Sequence, residues 1–170
     1  SRRRHTRYWR DWSSDLCSSD LRFERVLDVL SAHGYVDGWS LTEKGDVLAG
    51  TFHESDLLVA EAIHAGCLDG LEPAELAGLA SVFVYEHRSS EPPPAAWFSS
   101  TEVRRRHRDI DRISSRLRAE EEESELSVHR PPDPTYIAVA YAWAVGEGFA
   151  EVVEAEELSG GDFEIGRAHV

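Results

Sequence analysis

Apolar residues recur at three- and four-residue spacing along most of this chain, which is the signature of helices that each bury one face. Phe23, Val26, Leu27 and Leu30 predict a helix over Phe23–His33, closed by Gly34. Tyr35 to Leu41 breaks that period and predicts a short hairpin turning at Asp37-Gly38. Thr42 is placed to cap a helix over Glu43–Phe52. Leu57, Leu58, Ala60 and Ile63 predict another over Glu54–His64, stopped by Gly66. Pro73 suits a first helical turn, where its missing N–H costs nothing. The core face of that helix is expected at Leu76, Leu79, Ala80 and Phe83. Three consecutive prolines make Ser89–Pro94 a linker. From Ser100 or Thr101 to about Leu126 a long helix is expected, with Val103, Ile110, Ile113 and Leu117 inward and charge elsewhere. Pro131, Pro132 and Pro134 break the chain again. Asp133 can then cap Tyr136–Val145, apolar nearly all round and so expected to be buried, and Gly146 to Gly148 lead into a last short helix over Phe149–Ala155. The expected class is mainly α. A winged-helix-like remnant (helix plus β-hairpin, residues 22–52) is followed by a helical bundle over residues 53–163.

The pattern fails at both ends. Ser1–Arg10 carries five arginines and no acid, and Asp11–Leu21 has neither helical nor strand periodicity. Both stretches read as translated sequencing adapter. The codons AGC AGA AGA CGG CAT ACG AGA give Ser1 to Arg7, and those for Ile165–Val170 are essentially the reverse complement of those for Asp15–Asp20. Leu16 departs from the adapter frame by a single base. Residues 1–21 and 164–170 are therefore expected to be non-native and are set aside from the fold. The remaining frame, Arg22 to Phe163, is 142 residues and is expected to be a C-terminally truncated piece of a longer protein.

Charge sharpens this picture. The whole chain has 18 basic and 32 acidic residues, net −14. Without the six arginines and four acids of the ends, 12 basic face 28 acidic residues, net −16. Such a balance argues against a stand-alone nucleic-acid binder, which needs clustered Lys and Arg. No run approaches the roughly 18 apolar residues of a membrane span, so no membrane partner is expected. Cys17 and Cys67 cannot build a disulfide framework, which points to a reducing cytoplasm. Lys44 is the sole lysine among the basic residues, a bias expected of a GC-rich bacterial genome.

Chemistry-bearing motifs are sparse. There is no phosphate-binding Gly-rich loop ending in Lys-Ser/Thr, no dinucleotide fingerprint and no His-Glu-x-x-His pair. No catalytic centre and no metal site are expected. The six histidines from His33 to His129 are scattered and read as surface or helix-end groups, Cys67 as a half-buried small residue, and Glu120–Glu123 as a solvated face. Arg104, Arg105, Arg106 and Arg108 form the one basic cluster of the insert. Pairing with acids three and four residues away is one reading of it. Phosphate contact through Arg104, Arg105 and Arg108 is the other.

Several stretches carry a resemblance when taken in order: Leu41-Thr42-Glu43-Lys44-Gly45, Glu54–Glu61, Gly66–Ala77, Ser81–Arg88, Arg130–Asp133, Tyr141-Ala142-Trp143 and Leu158–Phe163. Over nearly the whole insert the chain resembles the C-terminal DSHCT region of DExH-box RNA helicases of the superkiller and exosome-cofactor type, closest to the HelY-type bacterial branch. The resemblance implies a helical bundle that packs on the RecA-like motor domains of the parent chain and lines the path of single-stranded RNA. ATP and Mg would be held by the parent helicase, none by this stretch. The acid that lies near RNA bases in the eukaryotic relatives matches Glu86, whose other reading is a pair with His87 or Arg88 at a helix end. The family's second contact, an Arg beyond the segment matching Gly160–Phe163, has no counterpart here. Two rivals stand beside this reading: a winged-helix transcription regulator, suggested by the hairpin and Leu-Thr-Glu-Lys-Gly, and an acidic helical protein-interaction adaptor.

Overall fold

A computed structural model describes residues 21–88 and 92–148. Both adapter-like ends, apart from Leu21, and the expected helix Phe149–Ala155 lie outside the described residues. The rest is mainly helical with one small hairpin. Helix α1 spans 21–32. Strands β1 (Val36–Asp37) and β2 (Ser40–Leu41) follow, then α2 (Glu43–Ala49), α3 (Asp56–His64), α4 (Pro73–Val84) and α5 (Thr101–Glu123). A 3-10 turn at Pro134–Tyr136 leads directly into α6 (Ile137–Ala144). The chain divides into two units: one holds the residues up to Phe52 with Leu117–His129, the other His53–Arg116 and the chain from Arg130 on.

In the first unit, β1 and β2 pair antiparallel with Val36 opposite Leu41 and Asp37 opposite Ser40. The turn therefore centres on Gly38-Trp39, one residue beyond the expected position, with Gly38 at φ 59 as the first central residue. The Thr42 side chain accepts from Gly45 N–H at 3.1 Å, as expected of a cap, but α2 ends at Ala49, short of Phe52. Gly45 is buried because α2 lies against the chain before β1: a Cβ there would meet the Tyr35 carbonyl at 2.2 Å. The last turns of α5 are tied in by contacts between histidine rings and carboxylates. His33 Nε2 meets Glu120 Oε2 at 2.5 Å, and His129 Nδ1 meets Glu121 Oε2 at 2.9 Å. Half of the acidic run 120–123 is thus structural, and His129, 8% exposed, is a core group. Helix α5 stops three residues short of Leu126. Glu125 takes φ 53 and the Leu126 N–H closes onto the Glu121 carbonyl, the helix ending that usually needs glycine. Arg25 holds Glu125 at 2.6 Å.

In the second unit α4 packs on α6. The contact is close because it is lined by small residues: a Cβ on Gly78 would sit 3.2 Å from both the Ile137 side chain and its carbonyl. The buried face of α4 is accordingly Gly78, Leu79, Ser81, Val82 and Phe83. Leu76, expected inside, is 37% exposed. Tyr136, Val139 and Ala140 form the adjoining core, with Tyr85 and Ala142 against it. Helix α6 is buried on one face only, since Trp143 remains 41% exposed. Asp133 Oδ1 accepts from Thr135 N–H at 2.9 Å and fixes the start of the 3-10 turn. On α5 the buried stripe contains the expected Val103, Ile110 and Leu117, with His107 and Ser114 between them. Cys67 is fully buried, not half-buried, and burial pushes its thiol pKa up.

Candidate nucleic-acid interface

Glu86 follows the last residue of α4 by two positions, where the backbone has turned extended: Tyr85 has φ −84 and ψ 148. In an extended chain, neighbours of one residue point opposite to it. Both neighbours of Glu86 are fixed. The Tyr85 ring stacks on Tyr136 with centroids 4.5 Å apart, and its carbonyl accepts from Arg130 Nη1. The His87 N–H donates to Asp133 Oδ2 at 2.7 Å. Arg130 further donates to the Phe83 carbonyl at 2.5 Å and to Glu54 Oε1 at 2.6 Å. The Asp133 N–H donates to the Val82 carbonyl. Thus Arg130–Asp133 grips the segment 82–87 from end to end, and Glu86 is carried exposed between two anchored residues.

The Glu86 carboxylate meets Arg88 at 2.8 Å, with side chains 47% and 83% exposed respectively. An ion pair so open to water holds weakly and can exchange. The same clamp perturbs Glu54, whose hydrogen bond from Arg130 holds its carboxyl below the usual carboxylate range.

Helix α5 carries the basic cluster, and its arginines are not equivalent. Arg105 reaches Glu102 at 2.6 Å and Asp109 at 3.2 Å. Arg106 reaches Glu102 at 2.7 Å and donates to the Gly66 carbonyl. Arg112 takes the other oxygen of Asp109 at 2.7 Å. Hydrogen bonds from Arg105 and Arg106 bring the Glu102 pKa down to about 2. Arg104 and Arg108 are exposed and have no carboxylate partner among the described residues. Arg104 lies over the Phe98 ring at 5.1 Å. Of the three arginines singled out, Arg105 is therefore tied to acids, while Arg104 and Arg108 meet no acid among the described residues. Glu86 and these arginines share a unit, yet no ion pair or hydrogen bond joins them among the described residues.

Arg130 and Asp133 stand out in the sequence only as a matching stretch and a helix cap. Their grip on 82–87 spans more than forty positions and has no local signal. Among the described residues no group of three or more His, Cys, Asp or Glu is arranged to hold a metal ion. No helix there is long and apolar enough to cross a membrane.

Comparison with known proteins gives a family match. The model of the DSHCT (NUC185) domain matches residues 38–164. The chain is 34% identical over 145 residues to "Probable helicase HelY" of Mycobacterium tuberculosis (strain ATCC 25618 / H37Rv), and equally to that of Mycobacterium leprae (strain TN). Those alignments cover 81% of this chain and 16% of each relative, so the chain spans about a sixth of their length. It is also 26% identical over 137 residues to "mRNA transport homolog 4" of Caenorhabditis elegans, covering 79% of this chain and 13% of that protein.

Proposed function

The chain belongs to the DSHCT (NUC185) domain family, and from that premise we propose that it is the C-terminal accessory helical domain of an ATP-dependent RNA helicase. It packs on the RecA-like motor domains of the parent chain and guides single-stranded RNA. The observation that carries the reading is the 34% identity, over 81% of the chain, to proteins named as helicases.

The geometry supports a guiding role over a catalytic one. A strand that must translocate needs contacts that form and release, and an acidic surface grips phosphate weakly. Glu86 offers a carboxylate to base edges from a backbone that cannot recoil, because both neighbours are anchored. Its pair with Arg88 is exposed and so yields readily to a competing donor. Arg104 and Arg108 supply phosphate contact, with Arg105 secondary because Glu102 and Asp109 already occupy it. ATP and Mg belong to the parent's motor, so hydrolysis lies outside this chain.

The test uses both forms of the protein. The purified chain should turn over no ATP. The parent helicase carrying Glu86→Gln or Arg104→Glu/Arg108→Glu should hydrolyse ATP normally but displace strands several-fold more slowly. Robust ATP turnover by the isolated chain, or a gene without RecA-type motifs upstream of Arg22, sinks the assignment.

A further inference from the structure

Three consecutive residues, Trp97, Phe98 and Ser99, are each held by a different helix of the second unit. The Trp97 ring meets Tyr141 of α6 edge-on, with centroids 5.3 Å apart at 60°. The Phe98 ring lies 5.4 Å from His107 of α5 and beneath the guanidinium of Arg104. Ser99 Oγ donates to Glu75 of α4 at 3.1 Å. A proline-rich stretch thus ends in an aromatic pair locked to the bundle. Nevertheless Trp97 is 44% exposed. A large indole held in place and left facing water is a surface prepared for another flat group.

The charges on the first turns of α5 are unusual for so acidic a chain. Glu102 and Asp109 are consumed by Arg105, Arg106 and Arg112. Arg104 and Arg108, one helical turn apart, are left as net positive charge on the first turns of α5. Phe98, the ring under Arg104, is the chain neighbour of Trp97, so the indole and this guanidinium belong to adjoining positions of one segment. An exposed aromatic ring and exposed guanidinium groups are the parts that bind single strands without reading their sequence, since every base has a π-face and every linkage a phosphate.

We propose that Trp97, Arg104 and Arg108 form a stacking platform for single-stranded nucleic acid, one base resting on the indole and the flanking phosphates meeting the two guanidinium groups. This rests on the strand-guiding reading above and gives it a second contact point, independent of Glu86.

Anisotropy titration of the full 170-residue chain with labelled oligouridylate tests it. The Arg-rich stretch Ser1–Arg10 can hold any polyanion, so the decisive comparison is with an abasic strand of equal length. The wild type should bind the base-bearing strand about tenfold more tightly, matching the usual worth of one stacked base. Trp97→Ala should abolish that difference, and Trp97→Phe, which keeps a ring against Tyr141, should retain most of it. Arg104→Glu/Arg108→Glu, both exposed and so harmless to folding, should flatten the salt dependence by about 0.7 for each phosphate left without its guanidinium. Photocrosslinking with 5-iodouridine should map to the Trp97 peptide. Unchanged base preference in Trp97→Ala and Trp97→Phe overturns the platform, as does equal competition by polyglutamate. If Glu86→Gln removes the base preference while Trp97→Ala does not, the platform is wrong and the strand-guiding reading survives. Loss of base preference in neither, with no crosslink in the second unit, rejects both.

Discussion

The backbone N–H of His87 donates to Asp133 Oδ2 at 2.7 Å, joining residues 46 positions apart. The other oxygen of the same carboxylate accepts from Thr135 N–H and Oγ1 at 2.9 and 2.6 Å. One side chain therefore both starts the turn into α6 and fixes the residue after Glu86. Asp133→Ala should cost about 2–3 kcal/mol, combining a missing cap with a missing charge-assisted bond. Asp133→Asn, which keeps one acceptor oxygen, should cost less. Urea denaturation of the three proteins gives the ranking, and equal midpoints for Ala and wild type would refute the double role.

Arg130 is the other jaw of the clamp, donating to Glu54 and to the carbonyls of Phe83 and Tyr85. Lysine keeps the charge but not the planar fork. Arg130→Lys should lose about 1–3 kcal/mol through the carbonyls left unmet. It should also let the Glu54 pKa climb toward its ordinary value of 4.5, because the Arg130 hydrogen bond is the main cause of its depression. A carboxylate with depressed folded pKa stabilises above its unfolded value and loses that contribution as pH falls through the folded one. The gap between wild type and variant should accordingly narrow in acid. Carboxyl carbon NMR of Glu54 and melts at neutral and acidic pH measure both effects.

How much of this was legible in the sequence depends on whether the signal was local. Spacing of apolar residues located α1, α3, α4 and α5, whereas α2 was read from its Thr42 cap and α6 from its all-round apolar run. Spacing put Leu79 and Phe83 on the inner face of α4, where they lie, but missed Gly78 and Ser81, since small residues admit a neighbouring backbone and carry no hydrophobic signature. The end of α5 was missed because Glu125 adopts the left-handed conformation in place of glycine, secured by Arg25 from a distant helix. His33 and His129 looked like surface groups because their partners Glu120 and Glu121 lie far away or across a chain reversal, whereas His64 is exposed at the end of α3 as expected. Among candidate residues, Glu86 came from resemblance and the arginines from clustering. Only the folded geometry separates Arg105, shared by two acids, from Arg104 and Arg108.

Gly45 offers a contrast within one helix. Its missing Cβ would stand 2.2 Å from the Tyr35 carbonyl, a rigid backbone atom. At Gly50 the nearest atoms are ordinary neighbours at 3.6 Å, and the φ of −84 suits any residue. Gly45→Ala should therefore destabilise the first unit by about 1–3 kcal/mol as an overpacked site. Gly50→Ala should be neutral or stabilising by up to about 1 kcal/mol, through the unfolded chain. Thermal melts of the two variants decide, and a harmless Gly45→Ala would place α2 farther from Tyr35 than 2.2 Å implies.

His107 gives the clearest pH dependence. It is 6% exposed and its Nε2 has no hydrogen-bond partner among the described residues. Burial lowers its pKa below the ordinary 6.5, outweighing Asp111, whose Oδ2 is 3.9 Å from Nδ1, and Asp133, which both act to raise it. The folded protein thus binds this proton less readily than the unfolded chain. Stability must rise with pH between the folded pKa and 6.5, and fall as pH drops through that interval. Replacing the ring by a side chain with no polar atom removes both the unmet nitrogen and the linkage. His107→Leu should therefore gain on the order of 1 kcal/mol over wild type at about pH 8, where the unmet buried nitrogen alone counts, and more at about pH 5, where the linkage adds to it. Equilibrium unfolding across that range measures the difference, and a variant that loses stability more steeply in acid than the wild type would show that His107 folds protonated, bound to Asp111.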